Sequence, residues 1–152
     1  MISRLLIFLL INFAGLGLGG LFTPSGVQSE WYAELSKAPW TPPGWVFGSA
    51  WTTIMICFAL YMAYLWPEVE NKKLLIGLFS IQWILNFIWN PIFFHFHMTV
   101  FGLLTITALT ILVTYLFITY FPVLKIKSYL LLPYVLWLFI ATSLNAYIVF
   151  QN

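Results

Sequence analysis

The groups in this chain that could do chemistry are few, and most are amides and indoles set in apolar sequence. Gln82, Asn86 and Asn90 recur every four residues, so on a helix they share one face. Amides facing lipid are costly, which turns the stripe toward a protein interior. There they can tie helices together, through backbone or through Asn145, or touch a ligand. The spacing leaves both readings open. Trp83 and Trp89 flank the stripe, and Pro91 follows it. Proline removes the hydrogen bond to the Phe87 carbonyl, so the helix should bend there. A second set, Trp137, Ala141 and Leu144, falls on one helical face at spacings of four and three. A small Ala141 beside a large Trp137 predicts either a recess or a plain packing step. A third set lies in Trp31–Trp51, which holds Trp31, Trp40, Trp45 and Trp51 with Pro39, Pro42 and Pro43. A flexible linker is rich in Gly and Ser. Proline stiffens this stretch and indoles give it area to pack with, so it is expected to be a structured cover, or else an interfacial aromatic belt.

Conventional catalytic sets are missing. His95 and His97, two residues apart, fall on different helical faces. No Ser–His–Asp, Cys–His or metal-ligand cluster is recognisable, so no metal and no cofactor is expected. Cys57 is the only cysteine and excludes an intrachain disulfide. The four acids Glu30, Glu34, Glu68 and Glu70 all lie outside the apolar runs. Proton-coupled pumps and voltage sensors need charges inside the membrane, which weakens both readings.

The elements that must hold these residues are membrane helices. Of 152 residues 62% are hydrophobic and 7% charged, against about 25% charged in a soluble domain. That composition cannot cover a water-facing surface, and it is too poor in charge for a nucleic-acid partner. A span needs about 20 apolar residues, and five runs qualify: Leu5–Phe22, Gly44–Trp66, Leu74–Phe94, Thr99–Phe121 and Ser128–Phe150. None contains Asp, Glu, Lys or Arg. Backbone in lipid must satisfy itself, so these are helices, and no period of two suggests a barrel. The expected fold is all-α: one domain, residues 1–152, a bundle of five transmembrane helices with a structured loop 23–43 between the first two. Short joints at residues 67–73, 95–98 and 122–127 force neighbours to run antiparallel. Arg4, Lys72, Lys73, Lys125 and Lys127 then fall at one membrane face and Lys37 alone at the other. This predicts a multi-pass protein of a bacterial cell membrane with a cytoplasmic N-terminus. Gly15/Gly19 and Gly44/Gly48 form GxxxG pairs, suited to packing within one bundle or to a homodimer interface.

Three strings carry a resemblance to a known family. Trp31-Tyr32-x-x-Leu35-x-Lys37, Trp40-x-Pro42-Pro43 and Phe47-x-x-x-Trp51 form the first. Asn86-x-x-Trp89-x-Pro91-x-Phe93-Phe94 is the second. Leu132-Pro-Tyr-Val-Leu-Trp137 with Ala141-Thr-Ser-Leu-Asn145 is the third. Together they resemble the TspO/MBR family, the tryptophan-rich sensory proteins, also called translocator proteins or peripheral benzodiazepine receptors. One residue departs: Ala38 stands between Lys37 and Pro39, where the family usually puts proline directly after lysine. The resemblance implies a pocket for tetrapyrroles such as protoporphyrin IX, and for sterols and benzodiazepine-type ligands. It implies that Tyr32, Trp40 and Pro43 close the top, that Trp51 and Trp137 face the ligand, and that Asn86 and Trp89 line a third side. Phe47, Met55, Asn90, Ala141 and Leu144 would complete the lining. The mammalian sterol motif ends in a basic residue, and none follows Tyr147 here. Two functions stay open: a binding or sensory module, or an enzyme that degrades porphyrin oxidatively in light with Trp51 and Trp137 as electron or radical participants. Passive transport is a third.

Overall fold

A computed structural model describes residues 1–152, all helical apart from short joints. The elements are α1 (Ile2–Gly20), α2 (Thr23–Val27), α3 (Glu30–Glu34), α4 (Gly44–Glu68), α5 (Lys72–Asn90), α6 (Thr99–Leu124) and α7 (Leu132–Gln151). A π-turn, Pro91–His95, follows α5, and 3-10 turns, Lys125–Leu131, join α6 to α7.

Four continuous helical runs are long and apolar enough to cross a membrane: Ile2–Val27, Gly44–Glu68, Lys72–His95 and Thr99–Gln151. Five separate runs were expected. The fourth observed run has 53 residues and would span about 80 Å if straight, far beyond a hydrocarbon core of about 30 Å. It doubles back instead. Thr110 bonds Thr142 at 2.9 Å, and Gly102 lies beside Asn145, so α6 and α7 run antiparallel. The reversal sits at Lys125, whose φ is 51°. The expected joint at Pro122 is not one. Pro122 lies inside the last turn of α6, as Pro67 does in α4: the ring fixes φ near the helical value, so the backbone can continue past it although the bond to the carbonyl four residues back is lost.

The five long helices close a ring in the order α1, α4, α7, α6, α5, with α5 returning to α1. Across it, the Tyr61 hydroxyl of α4 donates to the Leu116 carbonyl of α6 at 3.1 Å. Helices α1 and α5 run parallel: Phe8 meets Phe79, Trp83 donates to the Ile11 carbonyl, and Gly19 faces Asn90. That close approach uses the first GxxxG pair, since a Cβ on Gly15 would stand 2.5 Å from the Trp83 indole nitrogen. Gly15 and Gly19 therefore serve packing within the bundle, whereas Gly44 and Gly48 face open space. Large apolar side chains such as Leu6, Leu10, Ile111 and Ile118 cover the outside, a surface suited to lipid and not to water. The chain is an integral membrane protein.

At Pro91 the expected break takes a definite form. The backbone opens to i→i−5 spacing, with the Phe96 amide bonding the Pro91 carbonyl at 2.9 Å, as a helix does to absorb a missing bond. This turn aims Phe93 and Phe94 inward, where both are buried.

Candidate binding site beneath the first loop

The first loop is a cover built of two one-turn helices. Ser29 caps α3 by accepting the Tyr32 amide at 3.1 Å, while its own hydroxyl donates to the Gly26 carbonyl at 2.6 Å. Gly26 is needed there: a Cβ would meet the Phe94 ring at 2.4 Å. Trp31 stacks on His97 with centroids 4.0 Å apart and planes 12° from parallel. Tyr32 packs on Phe94 at 5.7 Å and Phe93 at 6.5 Å, and the Lys37 ammonium lies 4.5 Å over its ring. Burial pushes the Tyr32 phenol above its ordinary value. Farther along, the exposed Trp40 donates its N–H to the Ser143 hydroxyl at 3.1 Å and sets its ring edge-on to Tyr147. Ser36 pairs in both directions with Asn152. Pro43, exposed at the rim, stands at the head of α4.

The walls come from α4, α5 and α7. Phe47 sets its edge against Trp137 at 5.2 Å, and Trp51 against Tyr134 at 6.0 Å. Trp137, Ala141 and Leu144 are all buried along one face of α7. From α5, Trp89 stacks on Phe93 at 5.2 Å and meets Phe94 at 5.7 Å. The structure thus gathers Phe47, Trp51 and Trp137 in one aromatic group, and Tyr32 and Trp89 in another with Phe93 and Phe94. Met55 lies deeper, in the apolar core, and its carbonyl accepts the Asn12 side chain at 3.2 Å. Nothing in the sequence marked Asn12 as its partner.

The amide stripe divides. Gln82 donates to the Tyr134 hydroxyl at 2.7 Å and joins α5 to α7. Asn90 turns toward α1 and α2, accepting from the Thr23 hydroxyl at 3.0 Å with its amide nitrogen close against Gly19. Both ends of the stripe are glue. Asn86, between them, is half-buried. Asn145, expected as a cross-helix partner, donates instead to the Ala141 carbonyl of its own helix at 3.2 Å. His97, missed as a partner for Trp31, gave no sequence signal beyond lying in a joint. Tyr134 was visible only as part of the Pro-Tyr-x-x-Trp string.

Four buried polar atoms along α5 and α7 lack partners: the indole nitrogens of Trp89 and Trp137, Oδ1 of Asn145 and Oε1 of Gln82. An unpaired buried group costs about 1–3 kcal/mol, so a ligand that pairs with them gains from relieving that cost. Asn145 Oδ1 and the Phe93 ring both come within 3.5 Å of the position a Cβ on Gly102 would take, which joins the amide to the aromatic group beneath the cover. Phe93, Phe94 and Trp89 fill the space directly under α3. A cleft of about 380 Å³ reaches Trp137 from the side, between α4 and α7. A second, of about 650 Å³, lies between α1 and α5 and includes Arg4. No three His, Cys, Asp or Glu side chains stand close enough to hold a metal ion.

Comparison with known proteins fits this architecture. The model of the TspO/MBR family matches residues 7–151. The tryptophan-rich protein TspO of Archaeoglobus fulgidus is 38% identical, over 100% of this chain and 96% of its own. The translocator protein of Homo sapiens is 31% identical, over 79% of this chain and 73% of its own. A tryptophan-rich sensory protein of Cereibacter sphaeroides is 29% identical, over 84% and 77%.

Proposed function

Because this chain belongs to the TspO/MBR family, we propose that it binds tetrapyrroles of the protoporphyrin type beneath its first loop, as a membrane sensory or binding protein. The carrying observation is the pair of buried, unpartnered indole N–H groups of Trp89 and Trp137, on α5 and α7, set among rings. A planar macrocycle offers π-faces for those rings and carboxylate or carbonyl oxygens for the N–H groups, with Asn86 as a further donor. Apolar walls with a few placed polar groups are what such a ligand needs. The ligand must displace Phe93 and Phe94 or enter along the α4–α7 seam beside Trp137. The test is titration of protoporphyrin IX into protein in nanodiscs, followed by tryptophan quenching. Saturable binding weakened in Trp137→Phe supports the reading. Binding that is absent, or equal in the variant, removes it.

A second reading rests on the same rings. Trp51 packs edge-on to Tyr134 and Trp137 edge-on to Phe47. The indoles would give an electron to the photo-excited porphyrin, dioxygen would take it on, and Tyr134 could refill an oxidised Trp51. Light-dependent loss of porphyrin absorbance that disappears in Trp51→Phe/Trp137→Phe would make the protein an enzyme. Loss that persists in the variant assigns the photochemistry to the porphyrin alone.

The fold-back of α6 on α7 supports five crossings, with Arg4, Lys72, Lys73, Lys125 and Lys127 at the cytoplasmic face. A C-terminal reporter should then read as external, and a cytoplasmic reading would sink the orientation or the count.

A further inference from the structure

The cleft of about 650 Å³ between α1 and α5 lies outside the site just described. Arg4 is the one charged side chain among its twelve lining residues, and ten of the others are hydrophobic. Its floor is packed protein: Phe8 at 7% and Phe79 at 9% exposure, with Phe8 edge-on to Phe79 at 5.3 Å. Its rim is open to the lipid side, since Ile7 is 56% and Ile84 49% exposed. One end is closed. Trp83 is fixed there by its indole hydrogen bond to the Ile11 carbonyl at 2.9 Å. The other end carries Arg4. Trp66, packed on Phe8 one turn along α1 with centroids 6.0 Å apart, lines the cleft. It lies under the Lys72 ammonium, which bonds the Trp66 and Val69 carbonyls.

Depth and charge narrow the occupant. Arg4 to Ile11 and Leu75 to Ile84 each cover roughly 10–14 Å of helix, close to one leaflet of a core about 30 Å thick. The groove therefore matches an acyl chain entering sideways from the leaflet nearest Arg4. Arg4 shares its membrane face with Lys72, Lys73, Lys125 and Lys127, against Glu68 and Glu70, so that face is net positive. Ten charged side chains in the whole chain make a half-buried Arg4 at the mouth of an apolar groove a specific feature. We propose that this cleft holds an anionic phospholipid of the bilayer, one acyl chain along Phe8 and Phe79 and the phosphate on the Arg4 guanidinium. Arginine forms paired hydrogen bonds with phosphate that lysine cannot match, and Trp66 sits at the headgroup level as interfacial indoles do.

The test uses the full chain in mild detergent with equal phosphatidylglycerol and phosphatidylcholine of the same acyl chains. Retained lipid is counted by native mass spectrometry. The wild-type protein should favour phosphatidylglycerol. Arg4→Gln should cut that preference about fivefold, the factor one basic residue near an anionic surface supplies, and Arg4→Lys should restore only part. Ser80→Trp fills the groove from an exposed position and should lower retention of both lipids. Ile84→Trp on the exposed rim serves the same purpose should Ser80→Trp fold poorly. An unchanged lipid ratio in Arg4→Gln, or wild-type retention in a groove-filled variant with an unaltered melting curve, overturns the proposal.

Discussion

The two ends of the bundle are built differently. At the lysine-bearing end, Phe58, Leu65, Leu131 and Leu138 are 0% exposed. Phe58 is enclosed by Tyr61, Phe79 and Tyr134, and the Tyr61 hydroxyl is satisfied by a backbone carbonyl. At the covered end, Trp31, Tyr32, Trp51 and Trp89 are only half-buried. They meet through ring contacts, and buried indole N–H groups go unpaired. Two unpaired hydroxyls, Thr114 and Ser128, do lie toward the first end, and Oε1 of Gln82 is unpaired beside Tyr134, so the contrast is of degree. It still teaches a division of labour. Close packing with satisfied polar groups fixes one arrangement. Ring-on-ring packing with unmet donors leaves the other end able to exchange its own contacts for those of a ligand.

The largest effect should come from cutting into the packed end. Phe58→Ala should cost about 3–5 kcal/mol, as for other buried aromatics truncated to alanine. The melting temperature in detergent should fall strongly, whereas Trp31→Ala at the cover should move it far less. Equal falls would break the comparison.

Next comes ligand affinity. Trp137→Phe removes a donor that has no partner in the free protein, so stability should hold. Porphyrin affinity should fall by up to about tenfold, the net worth of one hydrogen bond. Asn86→Leu should act in the same sense, and more than Asn145→Leu, whose amide already serves the Ala141 carbonyl. Losses that track melting temperature in all three variants would make these residues structural.

A smaller effect is expected in kinetics. Replacing Pro42-Pro43 with Gly-Gly raises the entropy cost of ordering the cover. Bound porphyrin should leave a few times faster, with little change in association, since differences among related complexes lie mostly in the off-rate. Stopped-flow fluorescence in nanodiscs would read it. Unchanged release would make the loop an interfacial belt.

The smallest should be His97→Gly. Position 97 has φ of 55°, which glycine adopts without cost, but the Trp31 stack is lost. The two effects oppose each other, each about 1 kcal/mol, so melting should shift little while porphyrin release quickens. A large melting shift in either direction would show that one term dominates and that the stack is not a simple latch.

Much of this was legible in the sequence. Runs of apolar residues without charge dictate helices, because backbone in lipid has no other partner. Pro91 announced a bend, and the prolines and tryptophans of the first loop announced a folded cover. The boundary at Pro122 was misplaced, since proline's fixed φ is itself helical and the loss of one backbone bond did not end the helix there. The amide stripe was visible, but its division was not: one spacing places Gln82 against Tyr134, Asn90 against Thr23, and Asn86 between them with neither. Sequence by itself determined what each residue could do and which face of its helix it occupied, for those follow from side-chain chemistry and a period of 3.6. Only tertiary structure decided which faces meet. Ring order, the parallel pairing of α1 with α5, and the groove that pairing leaves beside Arg4 all depend on contacts between residues about 70 apart, and no local pattern encodes those.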